Sequence, residues 1–237
     1  MTWKIMDATL VLVHKKPELG TGKQRLAARF GLELTLQIAQ ALFECAVEDA
    51  ADWPGLVVLA PANQKDSYWA RLQARRCCRN FMIVPQISGN LGQRLNALDL
   101  TLRRQKLKRL VYIGSDAPGL KNEDYLAVRA YLNQSNAVLV PAVDGGVVLM
   151  ANRCAWPDLS MLPWSTDQLG VSLVNKCKAE MGSVSILQEN YDIDESADFF
   201  RLIHTLKDDG RPARRALHTL ACEASLAMNN SDYTRHA

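Results

Sequence analysis

The sequence predicts an α/β fold, a largely parallel sheet sandwiched between helices, and two observations predict it. Short apolar runs alternate with stretches of helical periodicity along most of the chain, which is the mark of strand–helix–strand units. The runs are apolar at both parities, as expected of strands covered on both faces.

The elements follow in order. Residues 8–13 (ATLVLV) form the first expected strand, and Leu34, Ile38, Leu42 and Cys45 then fall on one face of a helix over 34–51. Strands follow at 56–60 (LVVLA) and 81–84 (FMIV), each four to six residues and mostly apolar. Leu91, Leu95, Leu98 and Leu102 mark a helix over 90–106, which leads to a strand at 110–114 (LVYIG). Leu126 and Ala130 mark another helix, followed by strands at 137–141 (AVLVP) and 146–151 (GVVLMA). Leu169, Leu173 and Cys177 give a helix before the last strand, 184–187 (VSIL). Gly210 and Pro212 then stop one helix and start another, on which Leu217, Leu220, Ala221, Ala224 and Met228 recur at helical spacing. The expected organisation is therefore one domain over 1–208 and an added C-terminal helix and tail over 209–237. The polar segment 229–237 is expected to fray.

A chain of 237 residues, 48% hydrophobic and 22% charged, can bury a full core in one such domain. No uninterrupted apolar run approaches the ~20 residues of a membrane span, and residues 1–7 lack the basic-then-apolar order of a leader. A cytoplasmic protein without a membrane partner is expected. A formal charge of +3 is too mild to imply nucleic acid. Residues 71–109 nevertheless hold ten Lys or Arg against Asp99 alone, a stretch suited to an anionic neighbour. The six cysteines show neither a CxxC pair nor a histidine at ligand spacing, so reduced, packed thiols are expected. Cys77 and Cys78 stand out beside Arg75, Arg76 and Arg79, which would lower a thiol pKa. His14, His204, His218 and His236 are scattered and support no histidine-based assembly.

Candidate chemistry lies in the loops after strands. The first, Lys15 to Leu26, is basic and glycine-rich; amides freed by Gly20 and Gly22, with Lys16, Lys23 and Arg25, suit a phosphate. It is not a P-loop, since Pro17 and Gln24 stand where Gly and Ser/Thr are needed. Asp116 follows a central apolar strand, where a carboxylate can hold Mg²⁺ or Mn²⁺ through one hard oxygen or cap the next turn. Asp144-Gly145-Gly146 reads as a hairpin turn. Asp192 and Asp194 share one side if the backbone is extended, while Asp194 or Ser196 could cap the following helix. Trp164-Ser165-Thr166 precedes another helix, with Thr166 as its expected cap and Trp164 as a pocket wall.

Taken in order, KKPELGTGKQRL (15–26), GNLGQRL (89–95), GSDAPGL (114–120), PAVDGG (141–146), LPWST (162–166) and DIDESADF (192–199) resemble a bacterial glycosyltransferase-A-like family. Its members are labelled radical-SAM/selenodomain-associated transferases, some of them arsenosugar-biosynthesis glycosyltransferases. The resemblance covers residues 8 to about 202. It implies a nucleotide-diphospho-sugar transferase fold with a Rossmann-like, mixed but mostly parallel sheet, similar to that of guanylyltransferases of the molybdenum cofactor and of the F420 precursor. Residue by residue, it implies that Gly20, Lys23 and Arg25 sit at the donor phosphates with Lys16 and Ser115 beside them, and Arg94 near the nucleotide. Asp116 is implied as metal ligand, with Asp194, or else Asp192, as the second. Asp144 is implied as general base on the acceptor side, together with Gly145, Gly146, Trp164, Ser165 and Thr166.

The chain departs from the pattern at three places: Gly22-Lys23-Gln24-Arg25 replaces VKTR, Val147 replaces an aromatic residue, and Glu195-Ser196 replace Thr-Pro. The expected activity is metal-dependent transfer from a nucleotide sugar to a small acceptor, with altered substrate choice. Two alternatives stay open: nucleotidyl transfer from a nucleoside triphosphate, and a non-catalytic nucleotide-binding homologue in which the C-terminal helix serves a homodimer contact.

Overall fold

The computed structural model describes the backbone of residues 8–235 and the side chains of residues 8–228. The leader reading of residues 1–7, His236 and the end of the expected frayed tail lie outside the described residues. Elements run in the order β1 (Thr9–His14), α1 (Gln24–Asp52), β2 (Val57–Pro61), α2 (Ser67–Cys77), β3 (Phe81–Ile83), α3 (Leu91–Arg104), β4 (Leu110–Ile113) and α4 (Asn122–Tyr131). There follow β5 (Ala137–Pro141), β6 (Val147–Asn152), α5 (Leu169–Met181), β7 (Val184–Ile186), α6 (Ser196–Thr205) and α7 (Pro212–Arg235).

The strands form one sheet in the order β3-β2-β1-β4-β6-β5-β7. All pairs are parallel except those of β6, which runs antiparallel to β4 and β5. Order and direction follow from connection length. A parallel pair needs a long crossover, which the helical connections supply, whereas the five-residue turn between β5 and β6 permits a hairpin; β7, reached from β6 through α5, pairs parallel with β5 and so runs opposite to β6. The carboxyl ends of β1, β2 and β4 and the tip of that hairpin therefore share one edge.

Side chains alternate between two cores. Leu10 and Leu12 of β1 face Phe43, Ala46, Ala70, Ala74 and Val128 of α1, α2 and α4. Val11 and Val58 face Leu95, Leu98 and Leu102 of α3 and Leu173 and Cys177 of α5. This two-sided cover is why the strands are apolar at both parities. A third cluster joins Ile38, Leu42 and Cys45 of α1 to Phe199 and Leu202 of α6 and Leu217, Ala221 and Ala224 of α7. The apolar stripe of the C-terminal helix is thus buried within the chain. Arg214, fully buried, locks it there: the guanidinium donates to Glu48 (2.9 Å), Asp49 (2.7 Å) and the carbonyls of Cys45 and Pro118.

Several expectations need correction. Helix α1 begins ten residues earlier than expected, at Gln24, and is interrupted at Gly31 (φ 77°, ψ 171°), where helical periodicity is lost. By length and hydropathy alone it matches a membrane span, a feature that a search for uninterrupted apolar runs misses; its buried residues serve two of the three cores. Helix α2 carries no large apolar stripe, its buried residues being Ala70 and Ala74. Helix α7 continues to Arg235, through most of the segment expected to fray. The cap of α6 is Glu195 rather than Asp194 or Ser196, and the Asp198 carboxylate accepts from the amides of Asp194 and Glu195.

Candidate active site

The loops at the shared sheet edge enclose an open crevice of about 1040 Å³. Lys16, Lys23, Arg25, Arg94, Ser115, Asp116, Asp144, Gly146, Trp164, Ser165, Thr166, Asp192 and Asp194 all line it. Gly20 and Gly145 do not; they shape the turns behind it, at φ 73° and 89°.

Three carboxylates meet at its centre. The backbone amide of Ile193 donates to the Asp116 carbonyl at 3.0 Å, so the segment after β7 is pinned to the loop after β4. Asp192 and Asp194 lie on either side of that pin, and with Asp116 they bring three carboxylate oxygens within 4.8 Å of one another. Among the described residues this is the group of His, Cys, Asp or Glu so arranged that a metal ion would fit. Burial, and then the charges of Asp116, Asp194 and Asp144, push Asp192 up to about 7. The site thus carries more negative charge than its surroundings neutralise.

Lys23 stands against this cluster. Its Nζ donates to Asp116 Oδ2 at 3.0 Å and Asp194 Oδ1 at 2.7 Å. Burial by itself would depress its pKa, but the two carboxylates outweigh that and hold the ammonium above the usual lysine range. Its backbone sits in the left-handed region (φ 48°, ψ 41°) at the start of α1, directly after the turns made by Gly20 and Gly22. Arg25 pairs with Glu195 at 3.3 Å, and Lys16 with Glu18 at 2.9 Å. Lys16, Lys23 and Arg25 therefore each have an acidic partner within the chain.

Arg94 projects from the first turn of α3. Its Nε donates to Gln86 Oε1 at 2.8 Å, and Gln86 is itself anchored on the Ala60 carbonyl at 2.5 Å. Sequence reasoning missed Gln86, which lies in a loop without a recognisable motif. It also gave no role to His14, the last residue of β1, which is 3% exposed and lines the crevice floor. The His14 ring packs against Phe43 and Trp69, which also touch each other, and neither ring nitrogen has a side-chain hydrogen-bond partner among the described residues.

The far wall is built by close backbone approach. A Cβ at Gly92 would lie 2.0 Å from the Leu159 carbonyl oxygen and 2.6 Å from Trp164 Nε1. One at Gly145 would lie 2.1 Å from the Asp167 carbonyl oxygen. Glycine at both places lets α3 and the β5–β6 hairpin abut the LPWST loop. The indole of Trp164 donates to the Leu159 carbonyl at 2.8 Å. Thr166 accepts from the amide of Gln168 at 3.3 Å, so it closes the turn before α5 instead of capping the helix. Asp144 accepts from the Gly146 amide through Oδ1 at 2.9 Å; the residue is exposed and lines the crevice.

Comparison with known proteins agrees with this architecture. A crystal structure of a candidate nucleotide-diphospho-sugar transferase from Desulfovibrio desulfuricans G20 superposes with a TM-score of 0.81 at 22% identity, covering 94% of this chain and 97% of that one. A 4-diphosphocytidyl-2C-methyl-D-erythritol synthase gives a TM-score of 0.51 at 9% identity, covering 84% of this chain and 98% of the other. At these identities the likeness is one of fold. No curated protein sequence gives a significant match. The family profile described as "Uncharacterized protein conserved in bacteria (DUF2064)" matches residues 41–166, more than half of the chain. On that match the chain belongs to the DUF2064 family, which it carries on a nucleotide-diphospho-sugar transferase fold.

Proposed function

We propose that this protein is a metal-dependent transferase that moves a sugar from a nucleotide-diphosphate donor to a small acceptor. The observation that carries the reading is the convergence of three carboxylates, Lys23 and Arg94 in one crevice at the carboxyl edge of the sheet, where folds of this type bind nucleotides. Hard carboxylate oxygens at this spacing suit Mg²⁺ or Mn²⁺, and Asp116, Asp192 and Asp194 would hold the ion. Bound there, it would supply Lewis-acid neutralisation of the charge on a departing diphosphate.

The remaining work falls to the chain itself. Arg94, held by Gln86 through its Nε and lining the crevice, takes a phosphate oxygen or the edge of the base. Lys23 and Arg25 neutralise the phosphates as the bond to the sugar breaks. Asp144 takes the proton of the acceptor hydroxyl on the side opposite the donor. Trp164, Val147 and Met150 line the wall on this side and exclude water from it.

The same elements serve a nucleotidyltransferase, in which an acceptor phosphate attacks a nucleoside triphosphate. Product analysis decides between them. Release of nucleoside diphosphate from a nucleotide sugar supports the proposal, pyrophosphate released from a triphosphate supports the alternative, and ligand-induced thermal stabilisation without either product identifies a binding protein. Asp116→Asn should abolish the Mn²⁺-dependent part of nucleotide binding, and unchanged Mn²⁺-dependent affinity in that variant would refute the ligand assignment.

A further inference from the structure

The position of Lys23 carries a consequence for how a metal reaches this site. Its ammonium donates to Asp116 and Asp194 at 3.0 and 2.7 Å, using two of the three carboxylates grouped at ligand distance. The Lys23 side chain is only 15% exposed, so water screens it little. Left-handed backbone at a residue other than glycine persists where surrounding contacts over-determine it, and here both contacts are with the acidic cluster. A divalent ion on the same oxygens would meet the positive charge of the ammonium a few ångströms away, where water screens the repulsion little. The ion and the ammonium therefore exclude one another.

A diphosphate changes that balance. It is a polyanion, and the crevice that would receive it is lined by both Lys23 and Arg94. Given phosphate oxygens as an alternative partner, the flexible lysine stem can turn away from the carboxylates without leaving its charge unpaired.

We propose that Lys23 gates the metal site. Its ammonium and a divalent cation are alternative occupants of the Asp116–Asp194 pair, and a ligand bearing a diphosphate frees the pair by drawing Lys23 onto its own oxygens. The inference rests on the reading of these carboxylates as metal ligands. It implies that metal and donor bind with positive coupling, equal in both directions, and that monophosphates open the site poorly.

The test is equilibrium dialysis of the full chain against Mn²⁺ alone, and against Mn²⁺ with inorganic pyrophosphate at a matched free-ion concentration. Lys23→Met should bind Mn²⁺ alone at least about tenfold more tightly than the unmodified protein, a difference of about 1.4 kcal/mol. Lys23→Arg, which keeps the charge, should stay weak. Pyrophosphate should raise Mn²⁺ affinity in the unmodified protein by a similar factor and have far less effect in Lys23→Met. Circular dichroism establishes that each variant is folded, and Lys23→Gln substitutes for Lys23→Met if the latter is not. Equal or weaker Mn²⁺ binding in the neutral variants overturns the gate while leaving the metal site standing. No Mn²⁺ retained by any form, with or without pyrophosphate, overturns both.

Discussion

His14 makes stability depend on pH in a direction and amount that can be worked out. The ring is 3% exposed, packs 5.1 Å from Phe43 and 5.7 Å from Trp69 between centroids, and has no side-chain hydrogen-bond partner among the described residues. Burial pulls its pKa from 6.5 down to about 4, against weaker opposing effects of the Lys15 backbone and Asp66. The unfolded chain takes up the proton near pH 6.5 and the folded chain only near 4, so between these values the unfolded state binds more protons. Stability due to this group is full above pH 6.5 and falls as pH drops towards 4. A shift of this size corresponds to about 3 kcal/mol. Asp192, whose pKa is raised to about 7, titrates with the opposite sign, so the total stability of the protein does not isolate His14. The difference between the unmodified protein and His14→Phe does, because any packing cost of the larger ring is independent of pH. Urea unfolding followed by tryptophan fluorescence at pH 7, 6, 5 and 4.5 should show that difference changing by about 2–3 kcal/mol in favour of the variant as pH falls. A difference that stays constant across the series would show that the imidazole is hydrated or hydrogen-bonded in solution, and the burial argument would be wrong.

Other consequences can be checked directly. Arg214→Met removes the counter-charge of Glu48 and leaves buried Asp49 with Arg211 and the Tyr125 hydroxyl only, a loss of about 3 kcal/mol, which calorimetry should register as a melting temperature lower by several degrees. Gly92→Ala places a methyl group against a backbone oxygen that cannot move aside; a cost of about 1–3 kcal/mol should come with altered Trp164 fluorescence, and an unperturbed spectrum would mean that the wall is softer than its geometry. Cys77 lies 3.5 Å from Cys78, sulfur to sulfur. The hydrogen bond from Cys78, aided by Arg76, lowers its pKa to about 7, whereas burial pushes Cys45 and Cys177 up to about 12. Iodoacetamide at pH 7 should therefore label Cys77 first, as read by peptide mass spectrometry, and Cys78→Ala should slow it.

The strands are legible in the sequence because their runs are mostly apolar at both parities, with β7 (Val184–Ile186), interrupted by Ser185, the weakest, and the helices with leucine stripes are legible by their period. Helix α2 is not, since a helix buried through Ala70 and Ala74 leaves no spacing of large residues to read. The first turns of α1 are hidden by the break at Gly31, which resets the phase of the apolar face. In the site, sequence order and residue type suffice to assemble most of the crevice lining. They do not reveal what the charges do to one another. Lys23 is 93 residues from Asp116 and 171 from Asp194, and a glycine-rich basic loop suggests a phosphate before it suggests an internal ion pair. Gln86 is invisible for a related reason: its role depends on the position of one carbonyl at the end of β2. Within the cationic run from 71 to 109, Arg76 pairs with Glu44 and Arg103 with Asp99, and Arg94 turns to Gln86.

The buried Arg214 also bears on the order in which the molecule can be completed. Asp49 is laid down early in synthesis, and its counter-charge arrives 165 residues later. Until α7 is made, an ionised Asp49 has no reason to leave water, and the end of α1 cannot settle fully against the loop through Pro118 that follows Asp116. A nascent chain can pair its strands well before then, yet the last helix closes the electrostatic account of the whole domain. The crevice edge of the sheet would then be the final part to become rigid, and a ribosome-bound chain lacking α7 should hold a formed sheet with a protease-sensitive loop after β4.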